Sequence, residues 1–301
     1  MSIAQYIKEI GRGQRGARPL DRAQAADLMS QVLDGTVTDL ELGAFCLAMR
    51  IKGETPQEMA GFLDAAHARM ARVPAGSRPL VVLPSYNGAR RLPVLTPLLA
   101  LLVARRGLSV LMHGAATEDS RVAVPAVLAA LDIAPLQAIR PIGDQEAAYV
   151  PLELLSPGLK RLLDVRRVVG LRNSGHSMVK LMNPCAGAAV IVSSYTHREY
   201  FESMSAVFQL EQSTALLLRG TEGEAVADAR RLPQMDGFVC GRHVVLELGQ
   251  KGTLTALPDR PGEIDAATTA AYIRDVLQER RPVPASLQQQ VEHILRLADE
   301  A

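Results

Sequence analysis

The sequence predicts an α/β protein in two parts: a small all-helical domain, and a larger α/β domain built on a mostly parallel central sheet. Two observations carry this. Over residues 2–72 the apolar side chains recur at helical spacing, and each segment is closed by glycine or proline. Beyond them the period changes, and short β-rich runs alternate with apolar helical ones, which is the pattern of a parallel sheet with covered faces. Residues 155–184 break that alternation with Arg/Leu-rich helical sequence.

Taken in order, Ile3, Tyr6, Ile7 and Ile10 share one helical face, and Gly11 and Gly13 end the segment. Asp21 is placed to cap a helix running through Val32, with Gly35 after it. Asp39 is read as the cap of a helix carrying Leu42, Phe45, Leu47 and Met49, stopped at Gly53. Thr55 followed by Pro56 reads as an N-cap with proline at the first helical position, opening a helix through Ala71. Val73, Pro74, Ala75 and Gly76 close the helical part. Strands are then expected at 80–83, 109–113, 190–193 and 215–219, and helices at 96–106, 121–132, 197–209 and 265–279. Residues 233–263 read as loop-rich and β-leaning, most clearly in HVVLEL at 243–248.

The 301 residues suit one large or two ordinary domains, and 48% hydrophobic with 22% charged residues describes a soluble globular chain. Trp is absent and aromatics make up 4%, so stacking platforms for bases would rest on few rings. With 33 basic and 32 acidic residues the net charge is +1, which excludes a uniformly basic nucleic-acid binder but leaves room for a clustered basic face. Cys46, Cys185 and Cys240 stand far apart without CxxC spacing, giving neither a disulfide framework nor a zinc site and fitting a reducing compartment. MSIAQYIKEIGRG at the start lacks the marks of a signal peptide, and no window approaches the ~18–20 apolar residues of a membrane helix. The expectation is a cytoplasmic protein away from membranes.

The most telling stretch is PSYNGARR at 84–91, between a strand and a helix, where an α/β protein commonly holds an anion. It has one glycine, Gly88, a bulky Tyr86 and the pair Arg90 and Arg91, so it suits negative charge without wrapping a small phosphorylated substrate. Two further basic groups exist. Lys8, Arg12, Arg15, Arg18 and Arg22 thread through Gly11, Gly13 and Gly16; Lys160, Arg161, Arg166, Arg167, Arg172, His176 and Lys180 have Asp164 as the only acid among them. Each is either a solvated face or a phosphate-binding one, since guanidinium forks match phosphate oxygens. Arg105 and Arg106 read as complements to a helix C-terminus. His113 at a strand end lines a pocket or is a structural histidine. Glu118 and Asp119 pair on a metal or serve the next helix start, and Glu222 and Glu224 hold Mg²⁺ or lie in a glycine-rich turn. No nucleophile–base pair is visible, so no catalytic, metal or cofactor residue is assigned.

DLELGA at 39–44, MRIKGET at 49–55, His113 with Gly114, the 166–172 segment and Asn183 with Pro184 resemble the anthranilate phosphoribosyltransferase family, related to class II nucleoside phosphorylases. IKEIGRG at 7–13, PSYNGAR at 84–90, Arg172-Asn173-Ser174 and GTEGE at 220–224 are more similar to its YbiB-type branch, regarded as DNA-binding and without the parent activity. The resemblance covers nearly the whole chain. It implies a helical domain over 1–74 completed by about 155–184, an α/β domain over 78–154 and 185–301, and a homodimer joined through the helical domain.

It also implies where the parent chemistry is lost. The enzyme's glycine-rich pyrophosphate loop is replaced by residues 84–89, its lysine and asparagine flanking His-Gly become Met112 and Ala115, and its Mg²⁺-holding Asp-Glu pair aligns with Ala225 and Val226. His113, Ser120 and Arg166 survive. The sequence therefore predicts a nucleic-acid binder of low sequence specificity, for DNA first and RNA second. Its contacts are assigned to Lys8, Arg12, Arg15, Arg18, Arg90, Arg91, Lys160, Arg166, Arg167, Arg172 and Lys180. A vestigial pocket is assigned to Tyr86, Asn87, Gly88, His113, Ser120 and Asn173. The alternative is a phosphoribosyl- or glycosyltransferase with another substrate.

Overall fold

The computed structural model describes residues 2–13, 15–252 and 260–301, so the 253–259 part of the loop-rich stretch lies outside the described residues. The chain divides into two compact units, one of Met1–Ala71 with Leu152–Pro184, the other of Arg72–Pro151 with Cys185–Ala301.

The first unit is helical: α1 (Ala4–Ile10), α2 (Arg22–Asp34), α3 (Asp39–Lys52), α4 (Pro56–Arg69), α7 (Leu152–Leu155), α8 (Pro157–Val169) and α9 (Gly175–Leu181). Three helices open on a reciprocal capping box, Asp21 with Gln24, Thr38 with Glu41 and Thr55 with Glu58. Each such cap contributes about 1 kcal/mol. The cap of α3 is thus Thr38, with Asp39 the first helical residue, because the threonine hydroxyl accepts from the Glu41 amide while Glu41 reaches back to the Thr38 amide.

Gly61 lets α4 lie close on α2, since a Cβ there would sit 2.3 Å from the Arg22 carbonyl oxygen. Gly158 does the same for α8, where a Cβ would be 2.2 Å from the Leu33 carbonyl oxygen. Beside it Arg161 donates to the Val32 and Leu33 carbonyls at 3.2 and 2.9 Å, satisfying the last turn of α2. Arg161 therefore has a structural task within this unit.

The second unit carries a seven-stranded sheet in the order β3-β2-β1-β4-β5-β6-β7. The strands are β1 (Leu80–Ser85), β2 (Val110–Gly114), β3 (Ala147–Pro151), β4 (Ala189–Tyr195), β5 (Ala215–Arg219), β6 (Met235–Val239) and β7 (Arg242–Glu247). The first five are parallel, while β6 and β7 are antiparallel to their neighbours. Val81, Leu83, Val110, Met112, Val190, Val192, Leu216 and Leu218 form one apolar face. It is covered by α5 (Thr96–Arg105), α6 (Val124–Ala130), α11 (Ala266–Leu277) and α12 (Ala285–Asp299). Alternation sends the other side chains to the opposite face, where α10 (Arg198–Leu210) packs on β4, β5 and β7.

The sequence reading omits β3 and α12, and it overextends α6, which spans Val124–Ala130. Glu118 is not at that helix's start: it pairs with Arg121 at 2.7 Å, and the cap position is Ala123. No helix among the described residues is long and apolar enough to cross a membrane.

Candidate functional site

The order of strands locates the site. From β1 the chain moves outward through β2 and β3, then returns to β4 on the other side of β1 and moves outward through β5. In an open α/β sheet, ligands collect outside the strand ends where the winding reverses, here between β1 and β4. Three segments meet there: the loop after β1, the residues after β4, and the turn after β5.

Their hydrogen bonds turn inward. The Glu224 carboxylate accepts from the amides of Asn87 and Gly88, both at 2.8 Å, and from the Thr96 hydroxyl at 3.3 Å at the start of α5. A carboxylate there also complements the helix dipole. Glu222 accepts from the amide of Arg90 at 2.7 Å, from that of Arg91 at 3.1 Å to either oxygen, and from that of Leu92 at 3.4 Å. The Gly223 carbonyl takes the Asn87 side-chain amide at 3.0 Å and the Ser194 hydroxyl at 2.8 Å. Both glutamates of the turn are engaged by the loop that the sequence marks as anion-binding. They lie in a glycine-rich turn, one of the two readings of the sequence, and their carboxylates face the loop. Among the described residues no group of three or more His, Cys, Asp or Glu is placed to hold a metal ion.

Glycines make this close fit possible. A Cβ at Gly220 would lie 2.0 Å from the Glu224 carbonyl oxygen, one at Gly88 would lie 2.7 Å from the Val122 carbonyl oxygen, and Gly223 has φ 88°. Tyr86, Asn87 and Gly88 are buried in this packing, and Thr117 donates to the Tyr86 carbonyl at 3.0 Å. Tyr86 does not intrude into an open loop; it is part of the closed one.

His113 is fully buried, and neither ring nitrogen has a hydrogen-bond partner among the described residues. Burial lowers its pKa to about 3, so it is neutral near pH 7. It is thus neither a backbone-bonded structural histidine nor a group facing solvent. Ser120 is exposed in the turn before α6. A cavity of about 20 Å³ beside the loop is lined by Leu92, Thr221, Asp228, Arg230 and Arg260 among others, and by none of the residues assigned to a vestigial pocket.

Asn173, in the helical unit, is buried: its amide donates to the Leu162 carbonyl at 2.6 Å, its carbonyl accepts from Gly175 at 3.1 Å, and its side chain also bonds Cys46 of α3. Next to it His176 is held neutral, its pKa lowered to about 3 by burial first and then by the positive charge of Arg172, Arg166 and Arg50. The charges of three guanidiniums, from α3, the end of α8 and the turn after it, therefore all act on one imidazole. Arg50 escapes a reading of the sequence, since its position in α3 lies far along the chain from the other two.

The other assigned cations divide. Lys8, Arg15, Arg18, Arg90 and Arg91 are exposed and make no ion pair among the described residues. Arg12 pairs with Glu9 at 2.6 Å, and Asp164 takes Lys160 at 2.5 Å and lies 3.7 Å from Arg167. Lys180 is buried, with Met178, Val179 and Leu181 of α9 buried around it, so its assignment to a phosphate-facing surface is corrected.

Residues 4–70 match the helical bundle domain of a glycosyl transferase family. The chain is 37% identical over 308 residues to YbiB of Escherichia coli K12, covering 100% of this chain and 96% of that protein. It is 29% identical over 252 residues to anthranilate phosphoribosyltransferase of Symbiobacterium thermophilum, covering 80% and 72% of the two chains. Among solved structures, anthranilate phosphoribosyltransferase of Thermus thermophilus superposes with a TM-score of 0.76 at 21% identity, covering 98% of this chain and 89% of that one. The Saccharomyces cerevisiae enzyme in complex with PRPP and Mg gives 0.70 at 11% identity, covering 99% and 88%. At these identities the structural likeness speaks for the fold.

Proposed function

The chain belongs to the anthranilate phosphoribosyltransferase-like family, and from that premise we propose that it binds nucleic acid with little sequence preference and does not transfer phosphoribosyl groups. The supporting observation is that the charges of Arg50, Arg166 and Arg172 all act on His176 in a protein whose net charge is only +1. Concentrated guanidinium charge on a near-neutral chain favours a polyanion over a small anion, since phosphate contacts supply affinity in proportion to their number. Lys8, Arg15 and Arg18 add exposed cations to the same unit. DNA is the first ligand of this reading and RNA the second; few rings and no recognised reading helix leave weak base readout.

The rival reading is a phosphoribosyl- or glycosyltransferase, which the names of the relatives favour. Against it stands the loop after β1, whose amides are already taken by Glu222 and Glu224. A pyrophosphate arriving there meets two carboxylates where it needs donors.

The reading includes a homodimer joined through the helical unit. Leu40, Leu47 and Ile51 are 84, 47 and 64% exposed at helical spacing on α3, a stripe apolar enough to seek a second copy. Cys46, Cys185 and Cys240 are free thiols, and the reading places the protein in the cytoplasm.

Gel-shift titrations of a single-stranded and a duplex DNA across a salt series test it. Binding should weaken with a log–log slope of about −0.9 per duplex phosphate neutralised; no retardation at low salt would refute the reading. Tight, Mg²⁺-dependent calorimetric binding of phosphoribosyl pyrophosphate would favour the rival. Leu47→Glu should shift sedimentation from dimer to monomer, and a monomeric parent protein would remove the dimer.

A further inference from the structure

We infer that Glu222 is a built-in competitor for an anion site: its carboxylate fills a nest of three successive amides, and an external phosphate group enters only by displacing it. The nest consists of the Arg90, Arg91 and Leu92 amides, which converge on Glu222 at 2.7, 3.1 and 3.4 Å. Successive backbone N–H groups aimed at one point bind anions whether the anion is internal or dissolved.

The surroundings are built for more negative charge than one carboxylate. The Arg90 and Arg91 side chains are exposed without an ion pair among the described residues, and Arg230, held mainly by Asp228, also feels the charge of Glu222. The Thr221 hydroxyl oxygen is buried without a hydrogen-bond partner among the described residues, on the wall of the adjoining cavity. That cavity, about 20 Å³, holds one water and no phosphate, so the two anions exclude each other.

The two glutamates differ in how firmly they are held. Glu224 is 1% exposed and accepts from two amides and a hydroxyl. Glu222 is partly exposed and sits at φ 53°, a left-handed conformation that disfavours a side chain, so it is the one that releases.

This rests on the loop alone, not on the nucleic-acid reading, and its failure would leave the gel-shift result standing. The test is calorimetric titration of inorganic phosphate, at matched ionic strength in chloride, into the parent protein, Glu222→Gly and Glu222→Gln. Glycine suits the positive φ and removes the carboxylate; its phosphate affinity should exceed the parent's at least tenfold, with glutamine between them. Phosphate should also raise the melting temperature of Glu222→Gly more than the parent's, a readout that survives if the variant is destabilised. Equal affinities for parent and Glu222→Gly, or no binding and no thermal shift in that variant, would overturn the inference.

Discussion

The two units treat positive charge in opposite ways. In the helical unit, burial first and then the positive charge of Arg172, Arg166 and Arg50 keep the His176 imidazole neutral. In the α/β unit, the donors after β1 are met by two carboxylates from the turn after β5, each accepting from more than one amide. In the first, several positive charges act on one side chain; in the second, carboxylates cancel the donors.

Acid should probe the contrast hardest. His113 and His176 both have folded pKa values near 3, below the unfolded value of 6.5, so the unfolded chain takes up protons first as pH falls. Stability is complete above pH 6.5 and lost below it, by up to about 1.4 kcal/mol per pH unit for each histidine, levelling off near pH 3. Urea midpoints from pH 7 to 4 check the slope. The causes differ, burial alone for His113 and burial with arginines for His176. Arg166→Ala with Arg172→Ala should therefore raise the NMR-detected pKa of His176 and leave His113 in place.

Next in size is Glu224→Ala, which strips the buried Asn87 and Gly88 amides of their acceptor and should cost about 2–4 kcal/mol in urea unfolding. DNA affinity of the folded fraction should barely change, because that carboxylate belongs to the cancelled region. Replacing Arg50, Arg166 and Arg172 together by alanine should do the reverse. DNA binding should weaken about 10- to 100-fold at low salt with a flatter salt slope. The smallest effect is expected for Arg90→Ala with Arg91→Ala. These backbones keep their amides on Glu222, so stability should stay within about 0.5 kcal/mol and binding fall by a few-fold.

The helical unit was the more legible in sequence, because its signals are local. Thr55, Pro56 and Glu58 declare a helix start within four positions, and only the choice of Asp39 over Thr38 misplaced a cap by one. The parallel strands β1, β2, β4 and β5 were legible as apolar runs. The β6–β7 hairpin was not: its two-residue turn is Cys240-Gly241 with φ 47° and 79°, and cysteine is not a residue that announces positive φ. β3 was hidden in AAYVP, too short to show a period.

At the candidate site, the loop after β1 was recognisable as a gathering of donors. Its occupants were not, since nothing in GTEGE says which way two glutamate side chains turn. The arginine cluster was two-thirds visible, Arg166 and Arg172 lying close in sequence while Arg50 comes in through tertiary packing.

The pairing of Glu224 with the loop also has a timetable. The Asn87 amide waits for a carboxylate 137 residues further along the chain. At ordinary synthesis rates the growing polypeptide carries that loop unfinished for roughly seven to thirty seconds. Until that carboxylate is made, the Asn87 and Gly88 amides lack the acceptor that the turn after β5 supplies in the finished protein.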